Sequence, residues 1–210
     1  MSSAVILAAG EGRRLGRPKA GIELGGRALL THVLDTCRTT FLEEIVVVLG
    51  AEADTLRPLV VEQEASDDGP AVRVVVHDDW AAGRTGSLQA GLRALTRERD
   101  GALVFPVDHP LVRVTTLDAV LGVFNYAAAQ PEVVVPCLET DGERRRGHPV
   151  LVAAALREAI QALGPDDPLN TLLRSKVRLE VPVDDEAVLL DIDEPADLER
   201  AERLLAERAE

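Results

Sequence analysis

The chain has 210 residues, 46% of them hydrophobic, which is enough for one domain with a sizeable core. Its 36 acidic residues outnumber 23 Lys and Arg, and the net charge of −13 argues against nucleic acid or an anionic membrane as a partner. No apolar run approaches the ~18 residues of a membrane span, no basic segment precedes the first apolar run as in a signal peptide, and Cys37 and Cys137 match no zinc spacing. Together these predict a cytoplasmic chain, a single domain over 1–210, with two idle thiols.

Ala4 to Ala9 form a short apolar run that reads as a buried parallel strand. Leu29, Leu30, Val33, Leu34 and Cys37 recur at helical spacing, and Ile45 to Leu49 is a second buried strand ended by Gly50. Ala51 to Val61 is expected to be helical, kinked or shortened by Pro58, and Ser66 to Pro70 is a turn. Val72 to Val76 is a third strand, Leu88, Leu92 and Leu95 mark a helix, and Ala102 to Val107 is a fourth strand. Leu117, Val120, Leu121, Phe124 and Ala128 line a longer helix, and Val133 to Val135 is a fifth strand. Gly164 to Pro168 reads as a mobile loop. Val177, Leu179, Val181 and Val183 alternate with polar residues or Pro, as in a strand near a sheet edge. A last helix opens near Pro195. Alternating strands and helices predict a three-layer α/β/α, Rossmann-like fold with a mixed, mostly parallel sheet.

The most informative stretch follows the first strand. Gly10, Gly12 and Gly16 are interleaved with Arg13, Arg14, Arg17 and Lys19. Glycines permit positive φ and let backbone N–H groups approach an anion, and the cations add charge over the same spot. The combination suits a small polyanion such as a nucleoside triphosphate. A dinucleotide-binding Rossmann loop would open a helix within its glycines, whereas Pro18, Gly21, Gly25 and Gly26 keep this chain irregular until about Arg27. A plain basic surface loop leaves the glycines unexplained.

This stretch resembles the LAAGxGxRxGxPK signature of the nucleotidyltransferases with a MobA-like NTP-transferase domain, most nearly the molybdenum-cofactor cytidylyltransferase group. The matching residues are Leu7, Ala8, Ala9, Gly10, Gly12, Arg14, Gly16, Pro18 and Lys19. The segment from His77 to Leu88 resembles the family's N-x-x-W-x-x-G-x-x-x-SL, with His77 in place of Asn. There Gly83 and Gly86 are expected to admit a flat base, and Ser87 to cap the following helix. Asp108, at the end of the fourth strand, resembles the Asp of a D-x-P motif, although an Asp in this setting also forms plain turns. RGHPV, from Arg146 to Val150, resembles a segment of the cytidylyltransferases, and Asp191 to Leu198 resembles DIDTPEDL. Helix-start acids such as Asp193 and Asp197 are also ordinary dipole partners, and His148 has an equally good structural reading. Asp166 to Asn170 lacks the Gly-Ala-Arg run that relatives carry.

The resemblance implies a nucleotide-diphospho-sugar transferase fold and nucleotidyl transfer from an NTP to a small phosphorylated acceptor, with pyrophosphate released. CTP is favoured because Ala9 stands where GTP-using members have Gly, and molybdopterin is among the acceptors it allows. It implies Mg²⁺ held by Asp108 and Asp193, with Arg14, Lys19 and Asp108 as catalytic residues. Leu7 to Gly10, Gly12, Arg13, Arg14, Lys19, Gly83 and Ser87 would bind the nucleotide, and Arg146 and His148 the acceptor. A non-catalytic nucleotide-binding protein and an NAD-dependent oxidoreductase are the competing classes.

Overall fold

The computed structural model describes residues 2–64, 69–96, 101–129 and 131–209. In chain order its elements are β1 (Ser2–Ala8), β2 (Glu23–Leu24), β3 (Arg27–Ala28), α1 (Leu29–Arg38), β4 (Leu42–Leu49), α2 (Ala53–Glu64) and β5 (Ala71–Val76). Then come α3 (Arg84–Ala94), β6 (Gly101–Pro106), α4 (Val114–Tyr126), β7 (Val133–Thr140), β8 (Glu143–Arg146) and β9 (Val150–Ala153). The chain finishes with α5 (Arg157–Gln161), α6 (Leu169–Leu173), β10 (Arg178–Pro182) and α7 (Pro195–Glu207).

The strands lie in the order β10-β7-β9-β6-β1-β4-β5, with β8 added to β7 and the short β2–β3 hairpin apart. β1 runs parallel to both β4 and β6, and β4 to β5, while β9 is antiparallel to β6 and β7. The side chains of β1 alternate between two cores. Ala4, Ile6 and Ala8 pack with α1, α2, α4 and α7, and Val5 packs with Leu88 and Leu92 of α3, Ile160 of α5 and Leu173 of α6. Helices on both faces of a mostly parallel sheet are the expected three layers.

The differences from expectation have local causes. β7 extends past Val135 to Thr140 because Pro136 falls between the residues paired with β9 and those paired with β8, where no ladder N–H is needed on that side. Asp141 and Gly142 both take positive φ, 53° and 76°, closing a tight hairpin that makes Glu143–Arg146 a strand, β8, absent from the sequence reading. α2 runs twelve residues through Pro58, while Leu95 and Ala128 lie beyond the ends of α3 and α4. β10 is an edge strand, as its alternation predicts. The Gly164–Pro168 loop is tied down: Pro165 O accepts from Gly86 N at 3.1 Å and Asp167 O from Thr85 Oγ1 at 2.5 Å. The turn expected over Ser66 to Pro70 lies largely outside the described residues. Both cysteines are buried free thiols, and burial pushes the Cys37 thiol far up.

Candidate active site

From β1 the chain moves outward to β4 and β5, then returns to lay β6 on the other side of β1. Connections leave the carboxyl ends of β1 and β6 in opposite directions, opening a crevice of the kind where open α/β sheets bind ligands. The glycine loop leaves β1 on one side of it, and Asp108 follows β6 on the other.

In the loop, Gly12 and Gly16 take φ of 67° and 69° around a single turn, Arg13–Leu15. A Cβ on Gly12 would lie 2.0 Å from Arg17 O, so the loop folds back on itself only with glycine there. Gly10 is different: its φ is not positive, and its surroundings are open. Buried Ala20 and Ile22 anchor the far end of the loop in the core, which turns Lys19 inward. A cleft of about 310 Å³ opens beside the loop between Glu11, Arg13, Arg17 and Glu52. Arg13 pairs with Glu11 at 3.0 Å near its mouth.

Lys19 Nζ lies 3.1 Å from Asp108 Oδ2 and also donates to Asp193 Oδ1. The Lys19 and Asp108 side chains are only 15% and 13% exposed. Backbone contacts bring the two acids together across the chain. Val107 N continues the β1–β6 ladder by donating to Leu7 O at 3.1 Å, and Ile192 N donates to Asp108 O at 2.9 Å. Asp197 then shapes the turn before α7, its Oδ2 accepting from Asp193 N and Glu194 N at 3.1 and 2.8 Å. It is half of a capping box completed by the Glu194 side chain at the N-cap of α7. The Lys19 hydrogen bond holds the Asp193 carboxyl below the usual carboxylate range. Arg14 approaches the same carboxylate at 3.5 Å and Glu194 at 3.7 Å.

Beside Asp108 two imidazoles face each other. The rings of His109 and His148 have centroids 4.7 Å apart and are tilted by 41°. His148 is set by its own N–H to Val188 O at 2.9 Å and by Gly147, where a Cβ would lie 2.3 Å from that same oxygen. Burial first, and His109 second, lower the His148 pKa to about 4, so the ring is neutral near pH 7. Asp108 Oδ1, His109 Nδ1 and His148 Nδ1 are buried without a hydrogen-bond partner among the described residues.

Three expectations need correction. Ser87 does not cap α3: the helix starts at Arg84, after Gly83 at φ 145°, which leaves Ser87 buried inside the first turns. The space at Gly83 and Gly86 is filled by the chain itself, since Cβ atoms there would meet Pro165 O at 2.2 Å and His77 Nε2 at 3.0 Å. Arg146, expected to be free for an acceptor, donates from Nε to Glu180 Oε1 at 2.5 Å on the sheet surface, and this bond lowers the Glu180 pKa. Arg84, given no role from sequence, opens α3 in the stretch that carries Gly83, and its charge acts on both Asp193 and His148. Its only signal was a cation directly after a glycine at a helix start.

Among the described residues no group of three or more His, Cys, Asp or Glu gathers as a metal cage. Mg²⁺ needs no such cage, because it keeps waters and takes phosphate oxygens beside one or two carboxylates. Asp108 and Asp193, with the unpartnered Asp108 Oδ1, fit that demand.

The crevice, the glycine loop and the paired acids are those of a nucleotidyltransferase-type domain. The chain belongs to the MobA-like NTP transferase domain family, which matches residues 4–181. It is 34% identical over 193 residues to the nicotine blue oxidoreductase of Paenarthrobacter nicotinovorans, covering 90% of each chain. It is 37% identical over 124 residues to the bifunctional protein GlmU of Kineococcus radiotolerans, covering 58% of this chain and 24% of that one; the match spans about a quarter of that protein's length. The crystal structure of Rv0371c from Mycobacterium tuberculosis superimposes with a TM-score of 0.76 at 26% identity, covering 96% of this chain and 97% of that one. The same protein has been solved with manganese, at a TM-score of 0.73 and 24% identity over 96% and 98% of the two chains. No helix among the described residues is long and apolar enough to cross a membrane.

Proposed function

We propose that the chain is a single-domain cytosolic enzyme that transfers a nucleotidyl group, CMP first, from an NTP to a small phosphorylated acceptor with release of pyrophosphate. The observation that carries this reading is Lys19 between Asp108 and Asp193, in the crevice beyond the carboxyl ends of β1 and β6. Asp108 and Asp193 would hold Mg²⁺, which would neutralise charge on the reacting phosphate. Arg14, Arg13 and the loop backbone at Leu7 to Gly10 and Gly12 bind and orient the triphosphate, and Lys19 offsets charge developing on it. No covalent intermediate is required, because positioning and electrostatics lower the barrier. Ala9 favours a pyrimidine base. Arg84 joins the phosphate side, and Gly83 and Ser87 shape the nucleoside side by packing. For the acceptor, with molybdopterin a candidate, His148 would serve as a neutral hydrogen-bonding ring, while Arg146 would first have to leave Glu180.

A second reading has one specific observation in its favour, the name oxidoreductase on a relative matched over 90% of both chains. Against it, α1 begins at Leu29, well past the glycines, so no helix N-terminus meets a dinucleotide pyrophosphate there.

Thermal melts with CTP, GTP, ATP, UTP and NAD, each with and without Mg²⁺, separate the classes. A ligand at a hundred times its dissociation constant adds about 2.7 kcal/mol, several degrees for a domain of this size. A Mg²⁺-dependent shift largest with CTP is expected, with pyrophosphate release that falls several hundred-fold (about 3–4 kcal/mol) in Asp108→Ala. A GTP-led shift overturns the base choice, a shift with NAD alone overturns transfer, and nucleotide binding without pyrophosphate release marks a non-catalytic protein.

A further inference from the structure

Lys19 stands where two tasks conflict. The transfer reading, on which this inference rests, gives Asp108 and Asp193 to a divalent ion and gives the Lys19 ammonium to the triphosphate. In the structure the ammonium lies against both acids. One cation touching both carboxylates fills the space between them, and a second, doubly charged one cannot enter without strong repulsion in so enclosed a place. We propose that Lys19 is the resident counter-ion of the Asp108–Asp193 pair, which a divalent ion must displace, and that the released ammonium then turns to the triphosphate.

The surroundings suit an exchange. The backbone of Lys19 is fixed, because Gly21 N donates to Pro18 O at 3.2 Å and Ile22 N to Lys19 O at 3.0 Å, but its four-carbon stem can swing. The acids stay in place when it leaves, since Ile192 N holds the Asp108 backbone and Asp197 holds Asp193. The ammonium satisfies only one oxygen of Asp108; Oδ1 has no hydrogen-bond partner among the described residues, with His109 Nε2 3.8 Å away, and is left for a cation that demands more ligands. Arg14 at 3.5 Å from Asp193 keeps part of the charge balanced while Lys19 moves.

The test is Mn²⁺ binding without nucleotide, read from loss of the free-ion electron paramagnetic resonance signal. Lys19→Met is expected to bind Mn²⁺ at least about tenfold tighter than wild type, because two enclosed carboxylates lose their cation. Lys19→Arg should show no gain, and Lys19→Met with Asp108→Asn should lose it. Mn²⁺ should also raise the melting temperature of Lys19→Met more than that of wild type. Equal affinity in Lys19→Met and wild type overturns the exchange. If Lys19→Met unfolds without metal, refolding on Mn²⁺ supports the proposal and failure to refold overturns it. Pyrophosphate release from CTP is followed on the same wild-type preparation. Release without a gain in Lys19→Met defeats the exchange alone, and a gain without release defeats the transfer reading alone.

Discussion

His148 enters the folded state uncharged, and that ties stability to pH. Its pKa is about 4 when folded and near 6.5 when unfolded, so between these values the unfolded chain binds the extra proton. Stability therefore rises with pH across that window and is lost as pH falls from about 6.5 toward 4. Urea denaturation at pH 7 and pH 5 should differ by about 2 kcal/mol from this group alone, and His148→Gln should remove that part of the difference. Asp193 acts lower: its depressed pKa gives stability that is present above the ordinary carboxylate range and lost as pH falls through the folded value. Asp108, Lys19 and Asp193, which the fold brings together, stood out as candidates because each lies in a short motif beside the end of an element. That Arg146 is engaged was not legible, because Glu180, its partner, lies 34 residues away.

Helix α3 sets two physical effects against each other at Gly91. Helix propensity favours Gly91→Ala by about 1 kcal/mol. Packing opposes it, because the new Cβ would lie 2.3 Å from Val5 Cγ1 and 2.8 Å from Val48 Cγ2, stiff side chains on central strands. Overpacking of this kind costs about 1–3 kcal/mol, so the variant should have a lower urea midpoint than wild type. A higher midpoint would show that α3 does not approach the sheet so closely. Long elements with a clear period, such as α1, or a continuous apolar run, such as β4, were readable. α5 and α6, of five residues each, are too short to carry a period, and β8 was hidden by a run of three arginines, of which Arg144 and Arg146 pair with Glu139 and Glu180 across the sheet surface. The Asp141-Gly142 pair was its available signal.

Across the whole molecule, Asp185 joins distant parts of the chain. Its carboxylate, 1% exposed, accepts from Arg113 N and Thr116 Oγ1 at 2.8 Å each and from Arg208 Nη2 at 2.7 Å. It thus ties the start of α4 to the segment after β10 and to the end of α7. Asp185→Ala leaves the Arg208 charge buried without its partner and should cost about 3–5 kcal/mol in urea denaturation. A loss under 1 kcal/mol would mean that solvent reaches this cluster.

By itself the sequence determined the order of the principal strands and helices, the three-layer class and a phosphate-seeking loop after the first strand. Apolar period, glycine placement and charge are local properties, carried by neighbours in the chain. Tertiary structure alone decided that Lys19 rests on Asp108 and Asp193, 89 and 174 residues away. It also decided that Gly83 is closed over by Pro165 and that His148 is neutral beside His109. Each depends on what the sheet order brings near, and an ammonium, a glycine or an imidazole has the same local pattern whichever partner it meets.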